Sequence, residues 1–243
     1  MVVSGGCLIR RPTESTAGDS RAQWTEAGEL ASLRDRVLKW MNSGTSDRTA
    51  VICADRGFDH ARRLGLVPDL VVGDFDSISA DAKSALDGMS SRIEVHPQAK
   101  NATDTEIAVD RAIALGATHI LLLGALGGRV DHEMSNILML AKLERLGVHS
   151  EILDNICRIM LIAAGHNPTE AKIQASRGDK LTLLPLSAAC VGVTLQGLQY
   201  PLYKATLQLG TSRGVSNVFV EEEATISLDN GLLLAILTFA NKC

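Results

Sequence analysis

Short apolar runs alternate with segments of helical periodicity over roughly the first 155 residues of the chain. The run at 50–54 contains β-branched residues and predicts a buried strand. Apolar residues at helical spacing predict an amphipathic helix over 28–42. Further strands are predicted at 70–72, 93–96, 119–123 and 149–153, and further helices at 58–64, 79–88, 104–115 and 131–146. This alternation predicts an α/β domain with a mostly parallel, doubly wound sheet that helices cover on both faces.

The segment before the first long helix has two parts of different character. The apolar pair Val2 and Val3 is followed by Gly5 and Gly6, which is compatible with a first strand and a close backbone turn. Residues 10–27 are polar and mixed, and they are interpreted as a long loop or an insertion.

The pattern changes after about residue 155, where short β-rich segments follow one another with Gly, Pro or Asn between them. Segments of this kind, at this spacing, predict an antiparallel sandwich or barrel. They lie at 156–164, 172–175, 180–186, 191–195, 206–209, 215–220, 225–228 and 232–237. We therefore predict two domains, an α/β domain over 1–158 and an all-β sandwich over 159–243.

The stretch Gly-Asp-Phe-Asp-Ser at 73–77 is the first candidate for chemistry, because it follows a predicted strand directly. Gly73 would end the strand, which puts Asp74 and Asp76 in a loop at the edge where such sheets bind ligands. In an extended loop these side chains point the same way. Their repulsion favours a cation, and oxygen ligands suit Mg²⁺ bridged to phosphates. The alternative is an Asx-rich turn without a ligand.

Two other loops and one helix start are expected at the same edge of the sheet. They are Asp-Arg-Gly at 55–57, the segment 124–132, and Asp104, which follows Thr103 at a helix start with capping-box spacing to Glu106. Carboxylates that hold a metal ion, glycines that allow close backbone approach and an arginine are residue types found at sites of phosphoryl-type transfer. Arg129 suits a bidentate phosphate contact, and the amides of 127–128 suit a phosphate cradle. For Asp104 a helix cap is the alternative, and for His132 capping and phosphate binding stay open.

Composition narrows the class of function. A net charge of −4, with 3% aromatic residues, argues against binding of nucleic acid or an anionic membrane. No apolar run is long enough to span a membrane, and the N-terminus does not resemble a signal peptide. The five cysteines are scattered and odd in number, which favours a reducing, cytoplasmic location.

Five motifs in this order resemble those of the thiamine pyrophosphokinase family. They are Gly-Asp-Phe-Asp-Ser at 73–77, Lys-x-x-Thr-Asp at 100–104, Gly-Gly-Arg-Val-Asp-His at 127–132, Gly-Leu-Gln-Tyr-Pro-Leu at 197–202 and Ser-Asn at 216–217. The resemblance covers about 50–237 and leaves out 10–27.

The resemblance implies transfer of a pyrophosphoryl group from ATP to the hydroxyl of thiamine, with Mg²⁺ as cofactor and with a homodimer whose thiamine pocket lies between subunits. Carried over by position, Asp74, Asp76 and Asp104 would hold Mg²⁺, and these three with Arg129 and Asp131 would be catalytic. Nucleotide contacts would come from Asp55, Arg56, Gly57, Ser77, Lys100, Thr103, Gly127, Gly128, Arg129 and His132. Thiamine contacts would come from Tyr200, Ser216 and Asn217.

Three positions depart from the family pattern. Arg56 replaces a glycine, Asn101 replaces an aspartate and Tyr200 replaces a tryptophan. Arg56 would either add a phosphate contact or narrow the site. Two alternatives follow for the function: a related pyrophosphokinase acting on a pterin alcohol, and a nucleotide-binding protein without turnover.

Overall fold

The computed structural model describes residues 1–6, 8, 25–43, 49–75, 79–86, 92–97, 101–165 and 170–240. The chain divides into two compact units, and along the chain the boundary lies between Asn155 and Ile156. Each unit has the class of fold that the sequence predicts for it.

The first unit alternates strands and helices. Its strands are β1 (Val2–Val3), β2 (Ile52–Ala54), β3 (Leu70–Gly73), β4 (Arg92–Val95), β5 (His119–Leu123) and β6 (His149–Leu153). Its helices are α1 (Glu26–Ser43), α2 (Gly57–Arg63), α3 (Ala80–Leu86), α4 (Asp104–Ala114) and α5 (Val130–Arg145). The strands pair in the order β4-β3-β2-β1-β5-β6, and each pairing is parallel. The predicted parallel sheet is confirmed.

The strand order gives the sheet a switch point beside its shortest strand. β1 pairs with β2 on one side and with β5 on the other, so the chain builds outward from β1 in both directions. In sheets of this kind the crevice for ligands lies at the carboxyl ends of the strands where the order reverses. The segment after Val3 and the segment after Leu123 form that crevice here.

Apolar burial explains why these segments become strands and helices. In β5 every residue after His119 is buried, as expected for a strand that is covered on both faces. α4 packs on β1, β2 and β3 through its buried Ala108, Val109 and Ala112. Small apolar residues at this spacing bring the helix start close to the ends of β1 and β2, where the chemistry-bearing loops lie.

The second unit is an antiparallel sandwich. Its strands are β7 (Cys157–Ala163), β8 (Glu170–Gln174), β9 (Lys180–Pro185), β10 (Ala189–Gln196), β11 (Leu202–Gln208), β12 (Asn217–Val218), β13 (Glu223–Ser227) and β14 (Leu232–Thr238). One layer has the order β12-β9-β14-β7, and the other has the order β11-β10-β13-β8. Alternate residues of both layers, such as Leu181, Leu237, Leu195 and Ile226, form one buried core. This confirms the predicted all-β domain.

Strand β12 is shorter than the predicted 215–220. Ser216 has a φ of 59°, a left-handed conformation that interrupts an extended strand. Pairing with β9 therefore begins at Asn217 and includes Val218, and Phe219 forms a single bridge with Leu198. Among the described helices of both units, none combines the length and the apolar character that a membrane crossing needs.

Candidate active site

A cleft of about 360 Å³ opens at the switch point of the parallel sheet. The ends of β1, β2 and β5 and the starts of α4 and α5 surround it. Its lining residues are Ser4, Gly5, Gly6, Ala54, Asp55, Arg56, Thr103, Asp104, Thr105, Gly124, Ala125, Gly128, Arg129, His132, Glu133 and Asn136. Three of the separate sequence motifs therefore meet at one place, which their spacing along the chain alone could not establish.

Asp55 has an unusual backbone conformation at the end of β2. Its φ is 46°, which is left-handed and uncommon for a residue with a side chain. Its Oδ1 accepts a hydrogen bond of 3.3 Å from the Phe75 amide, after β3. A Cβ at Gly73 would lie 1.9 Å from this Oδ1, so only glycine leaves room for the carboxylate. Strained residues of this kind concentrate at functional sites.

Asp55, Asp74 and Asp104 form what we term the acid cluster. The Asp55 side chain is hydrogen-bonded to that of Asp104. Burial, together with the negative charges of Asp104 and Asp74, raises the pKa of Asp55 to about 6. A hydrogen bond between two carboxyl groups needs a proton, so this interaction favours the protonated form of Asp55 at mildly acidic pH.

The raised pKa of Asp55 predicts a pH-dependent stability in the metal-free protein. The pKa moves from an ordinary 3.8 to about 6, so between these values the folded state holds more protons than the unfolded state. The free energy of unfolding should therefore fall as the pH rises through this window. Urea unfolding at several pH values, in wild type and in Asp55→Asn, measures the effect. From pH 4 to pH 6 the free energy of unfolding of wild type should fall relative to that of Asp55→Asn. A difference in unfolding free energy that stays constant over this range would contradict the assignment.

The donor chemistry of the acid cluster fits a hard divalent cation. Its ligands are carboxylate oxygens, and a bound cation would relieve the repulsion that raises the pKa of Asp55. Within the described ranges, no three His, Cys, Asp or Glu side chains are grouped closely enough to hold a metal ion. Asp76 lies outside the described residues, as do Ser77 and Lys100. The predicted ligand set of Asp74, Asp76 and Asp104 therefore stays a prediction.

Asp104 is not the cap of its helix. The N-cap of α4 is Thr103, whose Oγ1 accepts a hydrogen bond of 3.2 Å from the Glu106 amide. The Glu106 carboxylate instead accepts from Lys142 Nζ at 2.9 Å, so only one half of the predicted capping box forms. The suggestion that Asp104 serves as a cap was wrong, because a hydroxyl at the preceding position takes that role.

Arg56 occupies a position that does not require glycine. Its φ is −54° and its ψ is −15°, a right-handed conformation open to any residue. At the next position a Cβ on Gly57 would lie 1.9 Å from the carbonyl oxygen of Val3, so glycine is needed there. Of positions 56 and 57, the departure from the family pattern therefore lies at the one whose backbone accepts a residue other than glycine. The Arg56 side chain is exposed and lines the cleft.

The segment before α5 contributes an arginine and a glycine to the lining of the cleft. Arg129 donates to Asp131 from Nε at 3.1 Å and from an Nη at 2.5 Å, and both side chains are exposed. The Arg129 guanidinium holds the pKa of Asp131 below its usual range. The Gly128 amide donates to Glu133 Oε1 at 2.8 Å, so this amide already binds an anionic oxygen. Gly127 has a left-handed φ of 76° and is not among the lining residues.

Sequence reasoning did not assign Ser4, Gly5 and Gly6 to the site. The hydroxyl of Ser4 is buried and lies 2.8 Å from that of Thr105. A Cβ on Gly6 would lie 2.4 Å from the carbonyl oxygen of Gly124, so the ends of β1 and β5 approach closely. The signal was present, since two glycines follow an apolar pair, but a two-residue strand is too short to reveal its central place in a sheet.

The residues predicted to contact thiamine lie together in the second unit. The Asn217 side chain is buried, accepts from the Tyr200 amide at 3.0 Å and donates to the Tyr200 carbonyl at 2.7 Å. Ser216 precedes it in a left-handed conformation, and its amide donates to Thr182 Oγ1 at 3.0 Å. Tyr200 is 63% exposed. Asn217 therefore fixes the backbone of Tyr200, whose aromatic ring is exposed.

Two family models match the chain on either side of its unit boundary. The catalytic domain of thiamin pyrophosphokinase matches residues 28–152, and the vitamin B1 binding domain of thiamin pyrophosphokinase matches residues 170–233. The chain belongs to the thiamine pyrophosphokinase family. The first match contains the acid cluster and the 124–132 loop, and the second contains Tyr200, Ser216 and Asn217. Residues 10–27 lie outside both matches, as the motifs indicate.

Individual relatives agree with this membership. The thiamine pyrophosphokinase of Bacillus subtilis is 28% identical over 193 residues, which cover 79% of this chain and 88% of that protein. Thiamine pyrophosphokinase 1 of Arabidopsis thaliana is 31% identical over 176 residues, which cover 70% of this chain and 65% of that protein. The crystal structure of the Bacillus subtilis family member has a TM-score of 0.76 at 23% identity and covers 98% of this chain and 97% of that chain, which confirms the fold.

Proposed function

We propose that this chain transfers the pyrophosphoryl group of ATP to the hydroxyl of thiamine and releases thiamine diphosphate and AMP. The observation that carries the proposal is the meeting of Asp55 and Asp104, glycine loops and two arginines in one cleft of a family catalytic domain. The match of the second unit to a vitamin B1 binding domain supports thiamine over a pterin alcohol as the acceptor.

The phosphates of the nucleotide would lie against the ends of β1 and β5. Gly5, Gly6 and Gly128 let the backbone approach closely, and the Gly128 amide already donates to a carboxylate oxygen. Arg56 and Arg129 line the same cleft and would add charge-assisted hydrogen bonds to phosphate oxygens. The Arg129–Asp131 ion pair is exposed, so solvent screens it and it contributes little free energy. Arg129 could therefore turn from Asp131 toward a phosphate at little cost in free energy.

Asp74 and Asp104, with Asp76, would hold Mg²⁺. When bound, the ion would neutralise negative charge that develops on the phosphate groups during the transfer. Asp55 lies against Asp104 and Gly73, and its half-buried carboxyl would keep Asp104 oriented. Asp131 would orient the thiamine hydroxyl by accepting a hydrogen bond from it, and the hydroxyl proton would pass to solvent as the new P–O bond forms.

Thiamine would contact Tyr200, Ser216 and Asn217. Tyr200 offers an exposed aromatic face for the rings of thiamine, and the positively charged ring would favour that face. Asn217 would act through the Tyr200 backbone that it holds. We further propose a homodimer with the thiamine pocket between subunits, and a cytoplasmic location, which the buried free thiols of Cys53, Cys157 and Cys190 suit.

The reaction is tested by following the nucleotide product with and without thiamine. We expect AMP to appear from ATP only when thiamine and a magnesium salt are present. Release of ADP would contradict pyrophosphoryl transfer, and tight ATP binding without any thiamine-dependent AMP would favour the protein without turnover. A pterin alcohol added as competitor should leave the rate unchanged. Inhibition with formation of a pterin diphosphate would favour the alternative acceptor.

Arg56 predicts a separate effect on the nucleotide. Replacing Arg56 by alanine should raise the KM for ATP by roughly tenfold, because one charge-assisted phosphate contact is lost. The KM for thiamine should stay unchanged. Arg62→Ala is the matched control, since Arg62 is exposed on α2, the helix that directly follows Arg56, and does not line the cleft. A lower KM for ATP in Arg56→Ala would mean that the arginine narrows the site instead.

A further inference from the structure

His60 is a buried histidine beside the cleft for which the proposed reaction has no use. It lies on α2, is 6% exposed and does not belong to the lining residues. Its Nε2 is 2.7 Å from the carbonyl oxygen of Gly6. A carbonyl oxygen only accepts, so Nε2 carries the hydrogen and the ring is the Nε2–H tautomer.

The same ring lies beside a second loop of the cleft. Its Cδ2 would be 3.2 Å from a Cβ at Gly124, a residue whose φ of 61° is left-handed. Gly6 and Gly124 are also joined directly, since the Gly6 amide donates to the Gly124 carbonyl at 2.8 Å. One imidazole therefore lies beside both glycine loops, at the ends of β1 and β5, and is hydrogen-bonded to the first of them.

His60 is not arranged to exchange protons with a ligand. Its Nδ1 is buried and has no hydrogen-bond partner among the described residues. Burial, with a further contribution from the nearby Arg63 and Arg56 cations, lowers the pKa of His60, while the Gly6 bond acts in the opposite direction. The neutral ring is therefore the form that donates to Gly6, and its contribution is geometric.

We infer that His60 is a positioning residue for the nucleotide: its Nε2–H fixes the Gly6 carbonyl and, with it, the two glycine loops that form the floor of the cleft. This inference rests on the proposed function, in which those loops receive the phosphates. A displaced loop changes the distance between backbone amides and phosphate oxygens, and misplacements of this size are costly for binding and turnover. Thiamine, which is assigned to other residues, should not sense the change.

The test compares four variants, of which the central two differ by one methylene. In His60→Gln the amide nitrogen lies as many bonds from the backbone as Nε2 does, so it can donate to Gly6. In His60→Asn the amide nitrogen is one bond short, at the place of Nδ1, and the Gly6 carbonyl loses its donor. His60→Leu removes the donor and keeps an apolar side chain. His119→Asn, an exposed histidine of the same unit, is the control.

We expect KM for ATP close to the wild-type value in His60→Gln and raised roughly tenfold in His60→Asn and His60→Leu, with KM for thiamine unchanged. A purely structural role would reduce the number of folded molecules, which lowers the apparent kcat and leaves both KM values alone. Unchanged KM for ATP in the asparagine variant, or failure of glutamine to restore it, overturns the inference. Thermal unfolding of each variant sets an assay temperature below its transition, and the Gln–Asn pair suffices if the leucine variant does not fold.

Failure of the proposed function would look different. If wild-type protein released no thiamine-dependent AMP, the reaction would be wrong, but calorimetric titration of the same variants with ATP would still decide the role of His60. Binding by His60→Asn at the wild-type affinity would then reject the positioning role. Binding weakened roughly tenfold, with rescue by His60→Gln, would support it.

Discussion

Replacing Asp74 by asparagine should reduce thiamine-dependent AMP release by at least about 100-fold. Asp74 directly follows β3, is half-buried, and its charge contributes to the raised pKa of Asp55. Asparagine has the same size but lacks the charge that would hold a divalent cation near the phosphates. Loss of several kcal/mol of charge stabilisation in the transition state corresponds to this factor, since each 1.36 kcal/mol is about tenfold in rate.

The same substitution should not weaken folding. The acid cluster contains like charges, so removing one of them relieves repulsion in the metal-free protein. We expect the free energy of unfolding of Asp74→Asn to equal or slightly exceed that of wild type, as measured by urea titration. Asp35→Asn, which removes an exposed carboxylate from α1, should leave both activity and stability unchanged. Wild-type turnover in Asp74→Asn would refute the role of the acid cluster in catalysis.

Replacing Gly73 by alanine should reduce activity by a similar factor, in this case because the added Cβ clashes with a neighbouring side chain. The new Cβ would lie 1.9 Å from Asp55 Oδ1, so the carboxyl group must leave its position against Phe75 and Asp104. Gly73 also has a φ of 151°, which strains any other residue. We expect at least about a 100-fold loss of thiamine-dependent AMP release, because the displaced group supports the metal-binding carboxylates.

Gly116→Ala separates backbone strain from displacement of Asp55. Gly116 has a left-handed φ of 84°, and a Cβ there would meet nothing within 4 Å. Both substitutions should cost stability through backbone strain, on the order of 1–3 kcal/mol, and Gly73→Ala should lose more because its Cβ also clashes with Asp55. Only Gly73→Ala should lose turnover. Equal activity in the two variants would show that the position of the Asp55 side chain has no bearing on the reaction.

The placement of the motifs at strand ends followed from local patterns. An apolar run before Gly73 and another before Gly124 indicated buried strands, and the polar residues after them had to lie at the carboxyl edge of a parallel sheet. The interruption of β12 at Ser216 was not predictable in this way, because a serine in a left-handed conformation has no local signal that distinguishes it from one in a strand.

Contacts between segments that are distant along the chain could not be predicted from local sequence patterns. The pairing of β1 between β2 and β5, the approach of His60 to Gly6, and the left-handed conformation of Asp55 each depend on residues far apart in the chain. A histidine in a short apolar helix has the same periodicity whether its ring faces solvent or a carbonyl oxygen. The sequence alone therefore carries no signal for the role of His60.

The order of strands and helices, the two-unit organisation and the residue types at the candidate site are consequences of the sequence itself, since hydrophobic periodicity and turn residues act over a few positions. Which of those residues share one cleft was decided by tertiary structure. Sheet order and helix packing bring Gly6, Asp55, Asp104 and Gly124 together, and the interactions that select this order are long-range burial and close backbone approach.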